Sequence, residues 1–484
     1  MGGQARQPRE AVPRQRKGTG AGWRSGAAAP GRGNCVGGGG YSKSMKILHT
    51  SDWHLGRTLH RADLTPAFEL WAQHVISLVR ERDIDAVLIS GDVYDRAVPP
   101  VTMVNLLSRT LAQLAEHTCV ILISGNHDSA QRLGFTAELL RPGLHIRTDP
   151  RQAGEPVEVR SGNERALVYP IPYLDPDVER HRLAYVRPEA ESRADAENET
   201  PEPLARSHEA VMRAALELVR RSIAREEQQS AAPARIVMAH EFVTGASPSD
   251  SERDISVGGV GEIPAALFTL GATEGPGPVD YVALGHLHSP QQVAKNQPVP
   301  PMRYSGSPIA FSFSESAPKS SVLLTFTWPD TNAGADAAAD TDTDTDTDTD
   351  TDANMVRGGR RPHLEVELIP APVWRPIVTI QDSFENILGD AYRADRDKFA
   401  RIEVTDDSRP AEMNARILQA FPHALEVQHR RQETAAVPVN TDVKREDPLK
   451  VLEDFMVSSG GRELNNAEQK ILRQAVEATR KKAE

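Results

Sequence analysis

A chain of 484 residues, 39% hydrophobic and 26% charged, has the length for two or three globular domains and a large core. No apolar run approaches the ~20 residues of a membrane helix, and two cysteines, Cys35 and Cys119, give no disulfide framework, so a soluble protein of the reducing cytoplasm is expected, with no membrane partner. The net charge of −12 argues against broad attraction to nucleic acid: the net +7 of residues 1–44 is cancelled by the seven aspartates of residues 340–352, so any DNA contact must use local patches, bound metal or a partner.

Residues 1–44, rich in Gly, Arg and Ala, show no apolar periodicity and lack the apolar centre of a secretory signal. They are expected to form a disordered extension, or to precede a true start at Met45. Ile47-Leu48-His49-Thr50 reads as a strand running into Ser51-Asp52-Trp53-His54-Leu55-Gly56. The spacing of Phe68, Trp71, Val75, Leu78 and Val79 predicts a helix over Thr65 to Arg82, with its aromatics in the core. Ala86-Val87-Leu88-Ile89-Ser90 is the next strand, ending in Gly91-Asp92-Val93-Tyr94-Asp95, and a second helix is predicted over residues 101–116. Cys119 to Ile123, with a buried thiol, makes a third strand that ends in Ser124-Gly125-Asn126-His127-Asp128. Such alternation argues for an α/β layered core.

Residues 176–233 are charged and interrupted by proline, and read as a variable excursion with one helix over 208–225. Arg235-Ile236-Val237-Met238-Ala239 is a strand followed by His240-Glu241-Phe242, and Tyr281-Val282-Ala283-Leu284 is a strand followed by Gly285-His286-Leu287-His288. Strands are expected at 322–328 and 364–369, separated by a Thr-Asp repeat that cannot bury anything and reads as a disordered loop over 331–360. Pro370-Ala371-Pro372 marks a boundary, so residues 45–372 are expected to form the main domain. Residues 373–430 alternate short strands with helices, as a small α+β module would; 431–447 is a polar linker, and 448–484 reads as a helix–loop–helix. Its stripe of Leu449, Leu452, Phe455 and Met456 calls for a partner surface.

Five motifs carry the chemistry: D-x-H-x-G at Asp52, G-D-x-x-D at Asp92, G-N-H-D at Asn126, His240 after a strand, and G-H-x-H at His286. Two-metal phosphoester hydrolysis needs a ligand common to both ions, a mixed oxygen and nitrogen shell, and open positions for water and substrate. A carboxylate can bridge, and imidazole and amide oxygen can complete each shell. Every motif follows an apolar run, so all can lie along one edge of the sheets, with Gly91, Gly125 and Gly285 suited to sharp turns.

The set resembles the calcineurin-like metallophosphoesterase superfamily. It is more closely similar to the double-strand-break-repair branch, the SbcD-type exonuclease subunits, through Ser249-Asp250-Ser251-Glu252-Arg253-Asp254, Val257-Gly258-Gly259 and Tyr304-Ser305-Gly306-Ser307-Pro308. The likeness covers Met45 to the C-terminus, apart from the Thr-Asp tract. It implies an α/β fold, a metallophosphoesterase β-sandwich flanked by helices, with a DNA-facing cap at 373–430 gripping DNA through residues such as Arg375, Arg393 and Lys398. It also implies two Mn²⁺ ions (Mg²⁺ or another divalent metal being the alternative), one held by Asp52, His54, Asp92 and His288 and the other by Asp92, Asn126, His240 and His286. His127 would contact the phosphate and protonate or stabilise the leaving oxygen, with Asp128 or Asp95 stabilising its imidazolium; the alternative for Asp128 is loop stabilisation.

The implied activity is an ATP-dependent 3′-to-5′ exonuclease on duplex DNA that also opens hairpins and cuts single strands. The implied partners are an SbcC-type ATPase on the C-terminal helix–loop–helix and a second copy of this chain, the two nuclease subunits forming a homodimer within a heterotetramer through the helices near 65–82 and 101–116. Two other readings keep part of this: hydrolysis of a small phosphodiester or phosphoprotein, which would not need residues beyond Pro372, and DNA-end tethering with a vestigial site.

Overall fold

The computed structural model describes residues 44–186, 201–226, 232–328 apart from 253–254, 256–260, 274 and 276, then 361–430, 450, 453, 455–456 and 464–483. The basic extension, the Thr-Asp tract, the linker, Val257-Gly258-Gly259, Leu449 and Leu452 lie outside the described residues. In chain order the longer elements are β1 (Met45–Thr50), α1 (Thr65–Arg82), β2 (Ala86–Ser90), α2 (Val101–Leu114), β3 (Cys119–Ile123), β4 (Leu144–Arg147), β5 (Val157–Ser161), β6 (Glu164–Pro170) and α3 (His208–Glu226). There follow β7 (Ala234–His240), β8 (Tyr281–Gly285), β9 (Gln291–Val293), β10 (Met302–Tyr304), β11 (Ser320–Thr327), β12 (His363–Pro370) and, in the 373–430 region, β13 (Ile377–Asp382), β14 (Phe399–Val404) and β15 (Ala424–His429).

Two six-stranded sheets form, in the orders β12-β11-β1-β2-β3-β4 and β9-β10-β8-β7-β6-β5. Within them β1 to β4 run parallel, as do β6, β7, β8 and β10. Parallel strands covered on both faces must be apolar throughout, and β2 and β7 are buried at every position. Their side chains alternate between two layers. Ile47, Leu88, Ile121, Ile236 and Met238 meet between the sheets, while Leu48, Val87, Ile89, Val120 and Leu122 face α1 and α2. The second sheet turns Leu167, Tyr169, Val237, Ala239, Val282 and Leu284 toward α3. The result is a β-sandwich flanked by helices, as the family resemblance implied.

Phe68, Trp71, Val75, Leu78 and Val79 of α1 are all buried, and Pro66 in the first turn and left-handed Asp83 at the end frame the helix. Two expectations need correction. The 208–225 helix is no excursion: Val211, Met212, Ala215, Val219 and Ile223 of α3 cover the second sheet, and its charges occupy the solvent side. The Cys119 thiol is half-buried at the start of its strand, where burial raises its pKa to about 11.

The parallel three-stranded sheet β13-β14-β15 has a core of its own, built on Ile380, Ile387, Ile402, Val404, Ile417 and Phe421. Phe399 instead joins the α1 side of the main core with Ile369 and Ala371. A final helix, Asn466–Ala483, ends the described residues.

Candidate metal centre

The four leading strands β1, β2, β7 and β8 pair in parallel within their sheets, so their C-terminal ends lie together across the sandwich. Asp52 and Asp92 each follow a strand by two residues, His240 closes β7 and His286 begins the turn after β8. The turns are tight and costly. Asp52, His54, Asp92 and His286 have φ of 54°, 44°, 48° and 109°, which non-glycine residues rarely adopt. Glycines allow the close approach: a Cβ on Gly125 would lie 2.2 Å from Asp92 Oδ1, and one on Gly285 would lie 1.8 Å from Ser90 O.

These turns bring all seven sequence-predicted ligands together. Asp52, His54, Asp92, His240, His286 and His288 are buried, each at most 4% exposed. His54 Nε2 and His288 Nε2 stand 3.0 Å apart, next to Asp52. Asn126 Oδ1 lies 2.9 Å from His240 Nε2 and 3.3 Å from His286 Nδ1. Between the two groups, Asp92 Oδ2 is 3.4 Å from His54 Nε2 and 3.5 Å from His240 Nε2. Among the described residues the candidate ligand clusters are Asp52, His54 and His288; His54, Asp92 and His127; and Asp52, Asp92 and His240.

The chemistry of this donor set fits divalent cations. Two ring nitrogens at 3.0 Å can share one proton at most, and burial lowers the pKa of His54 well below the ordinary histidine value. Burial likewise takes His286 down to about 3. Asp52 is pushed up to about 6 by burial despite the nearby histidines. Burial also opposes ionisation of Asp92, yet His240 and His54 hold it well below the carboxylate range; His240 is raised in turn to about 9, the attraction of Asp92 overcoming burial. The facing ring nitrogens of His54 and His288, together with two carboxylates and an amide oxygen converging in one buried site, make a donor set that cations with mixed oxygen and nitrogen shells would stabilise.

Neighbouring groups fix the candidate donors. Ser51 Oγ donates to Asp52 Oδ2 at 2.5 Å, and His286 N donates to Asp52 Oδ1 at 3.0 Å. His240 Nδ1 faces Ser90 O at 2.9 Å, which leaves Nε2 for the site. His127 N donates to Asp92 Oδ1 at 2.8 Å, and His127 Nδ1 lies 2.8 Å from Asp95 O.

Of the two carboxylates expected to support His127, that of Asp128 is hydrogen-bonded away from the His127 ring. It accepts Val93 N, Tyr94 N and Gly125 N at 3.1, 2.9 and 2.9 Å, so it ties two loops together, the alternative role weighed from sequence. Burial and the charge of Asp92 raise it to about 7. Asp95 orients His127 through its backbone carbonyl, while its carboxylate lies 3.8 Å from both His54 Nδ1 and Arg57 Nε. Of the cap cations, Arg375 donates to Asp397 O and stacks on Trp374 and Phe399, and Lys398 pairs with Asp395 at 2.7 Å; Arg393 is exposed. Sequence reasoning gave no role to Arg57, Glu252, Glu315 or Lys319, which surround the site. Their signal was weak: Arg57, Glu315 and Lys319 are single charges without a partner pattern, and Glu252 sits in a run of charges where no one residue stands out.

Residues 45–290 match the family model of the calcineurin-like phosphoesterases, and residues 373–459 match that of the type 5 capsule protein repressor C-terminal domain. The chain is 32% identical over 294 residues to the SbcD subunit of the SbcCD nuclease of Bacillus subtilis (strain 168), spanning 60% of this chain and 68% of that protein. Among solved structures, TT1561 of Thermus thermophilus aligns at 13% identity with TM-score 0.32, over 59% of this chain and 99% of the other. GAP50, the anchor in the inner membrane complex of Plasmodium, aligns at 10% identity with TM-score 0.33, over 59% and 84%. Those two overlaps are too loose to carry an argument; the family match and the Bacillus relative carry it. The chain belongs to the calcineurin-like phosphoesterases and, within them, to the SbcD branch of metal-dependent nucleases.

Proposed function

We propose that this chain is the nuclease subunit of an SbcCD-type complex, an ATP-dependent 3′-to-5′ exonuclease on duplex DNA that also opens hairpins and cuts single strands, in DNA repair, recombination and replication. The observation that carries it is Asp92 Oδ2, placed between a group of Asp52, His54 and His288 and a group of Asn126, His240 and His286. The set would hold two Mn²⁺ ions, with Asp92 common to both; Mg²⁺ or another divalent metal is the alternative. Bound there, the ions would acidify a water for attack on phosphorus and neutralise the charge that develops on the phosphate. The protein supplies the rest. Burial keeps bulk water from the ligands, and the strained turns keep the donors converged. His127, with Nδ1 engaged by Asp95 O, has Nε2 available to protonate or stabilise the leaving oxygen.

The remaining assignments rest on surfaces. No described helix is long and apolar enough to cross a membrane, and we place the protein in the cytoplasm, on the nucleoid when it acts. Phe455, Met456 and Ile471 are exposed in the C-terminal helical region, a surface for an SbcC-type ATPase. The proposed homodimer, within a heterotetramer, uses the start of α2. Val98, Val101 and Val104 are exposed there, and Arg132, bonded to Ala97 O, links that face to the segment bearing exposed Phe135 and Leu139. The exposed positions of α1 are polar or proline, so α1 has little apolar surface to offer.

The test uses a hairpin-ended duplex with Mn²⁺, with and without the ATPase partner and ATP, beside Asp92→Ala. Cleavage that requires Asp92 and is enhanced by the partner is expected. Turnover of a small phosphodiester without DNA cleavage under any condition would overturn the reading.

A further inference from the structure

We propose that Glu315, acting through the Ser251 hydroxyl, is a positioning residue that holds His288 in its Nδ1–H tautomer and so turns the Nε2 lone pair into the metal centre. The inference rests on the reading above, in which His288 is a ligand. Ser251 Oγ lies 2.5 Å from His288 Nδ1 and 2.5 Å from Glu315 Oε1. An ionised carboxylate only accepts hydrogen bonds, so the hydroxyl proton goes to Glu315, and the hydroxyl oxygen then accepts the proton on Nδ1. A neutral imidazole protonated at Nδ1 carries its lone pair on Nε2, the nitrogen 3.0 Å from His54 Nε2. His288 Nδ1 and Glu315 Oε1 are themselves 3.6 Å apart, beyond hydrogen-bond reach, so the hydroxyl is the link.

The surroundings hold the relay in one sense. The Lys319 ammonium pairs with Glu315 Oε2, and it also donates to His288 O at 2.8 Å and Ser307 Oγ at 3.0 Å. Glu252 Oε1 accepts His288 N at 2.7 Å, while Glu252 Oε2 accepts Ser249 N at 2.7 Å. His288, Ser251 and Glu315 are at most 8% exposed, so little water is at hand to replace a missing hydroxyl. This gives a task to Ser249-Asp250-Ser251-Glu252 and to Ser305-Gly306-Ser307, segments the catalytic reading leaves idle. They grip the ring and the backbone of one ligand.

Truncating Glu315 would strand the Lys319 charge and unfold the region, so the test substitutes Ser251. Full-length wild type, Ser251→Ala and Ser251→Thr are titrated calorimetrically with Mn²⁺, and the metal-free melting temperature of each is recorded. The expected result is two ions on the wild type, a roughly 10- to 100-fold loss of affinity for one of them in Ser251→Ala, and recovery in Ser251→Thr, with unchanged metal-free melting. Ser251→Ala binding both ions as the wild type does would overturn the relay and leave the metal site standing. Equal weakening of both ions with a lowered melting temperature would also overturn it, by making Ser251 a packing residue. A wild type that binds no Mn²⁺ would remove the site reading and this inference together.

Discussion

Asp85 and Asp280 clasp the N-terminal ends of strands in the two sheets, whereas Asp52 and Asp92 stand beyond the C-terminal ends of two strands in the first. Asp85 Oδ2 accepts Lys46 N at 2.9 Å and Asp85 N donates to Lys46 O at 2.8 Å. Asp280 repeats this in the other sheet, accepting Arg235 N at 2.7 Å and donating to Arg235 O at 2.8 Å. Each closes a parallel pair on its own, with φ outside the left-handed region. Asp52 and Asp92 have left-handed φ, are at most 2% exposed, and face imidazoles at the ends of three other segments. An aspartate next to a strand is therefore no functional sign by itself. Strain, burial and convergent nitrogen donors make it one.

The largest effect should come from the carboxylate between the two ligand groups. Asp92→Ala is expected to lower DNA hydrolysis by roughly a thousandfold, about 4 kcal/mol of transition-state stabilisation, as read from initial rates at saturating Mn²⁺. Asp85→Ala, at the other end of the same strand, should leave the rate within about twofold once folded, since it touches no donor of the site. Comparable losses in both variants would erase the distinction between the ends. Next in size is Gly285→Ala. Its Cβ would meet Ser90 O at 1.8 Å and His240 Nδ1 at 2.9 Å, with backbone on the near side and no room to relax. A destabilisation of about 3 kcal/mol is expected in denaturant unfolding; a variant as stable as the wild type would show that this edge is not close-packed.

The same contrast explains what could be read from the sequence. Apolar runs such as Val87-Leu88-Ile89 and Ile236-Val237-Met238 announce strands buried on both faces, and the residues just after them become the C-terminal edge once the sheets are parallel. That made the convergence of the candidate donors legible. β9 and β10 have three residues each, too few for a period, and Gln291 and Gln292 on an edge strand look like loop. β5 does alternate, with Val157 and Val159 in and Glu158 and Arg160 out, but over only five residues. The buried stripe of α3 was masked by its arginines and glutamates, which decorate one face only. The Ser251–Glu315 link joins residues 64 apart, and no local pattern announces such a pair.

The smallest effect tests the quiet end. Burial raises Asp280 to about 6, outweighing the attraction of Arg235 and Arg361. Below the unfolded value of 3.8 both states are protonated and the group costs nothing. As pH rises from 3.8 to about 6 the native state keeps a proton that the unfolded chain loses, so stability falls across that window, and above it the native state buries the charge with no further fall. Asp280→Asn keeps an oxygen for Arg235 N and never ionises. Asp280 is partly accessible, so the gain is small, about 1 kcal/mol, or roughly 2 °C in melting temperature, at pH 7.5. At pH 4 the variant and the wild type should melt together. A gap of equal size at both pH values would assign the gain to packing, and no gap at either would mean that the clasp holds its charge without cost. Asp52, at the other end of the sandwich, is also raised to about 6 by burial, but there a bound cation can offset the cost. Only at Asp280 should the penalty persist when Mn²⁺ is added, and repeating the two melts with saturating Mn²⁺ separates a clasp from a ligand.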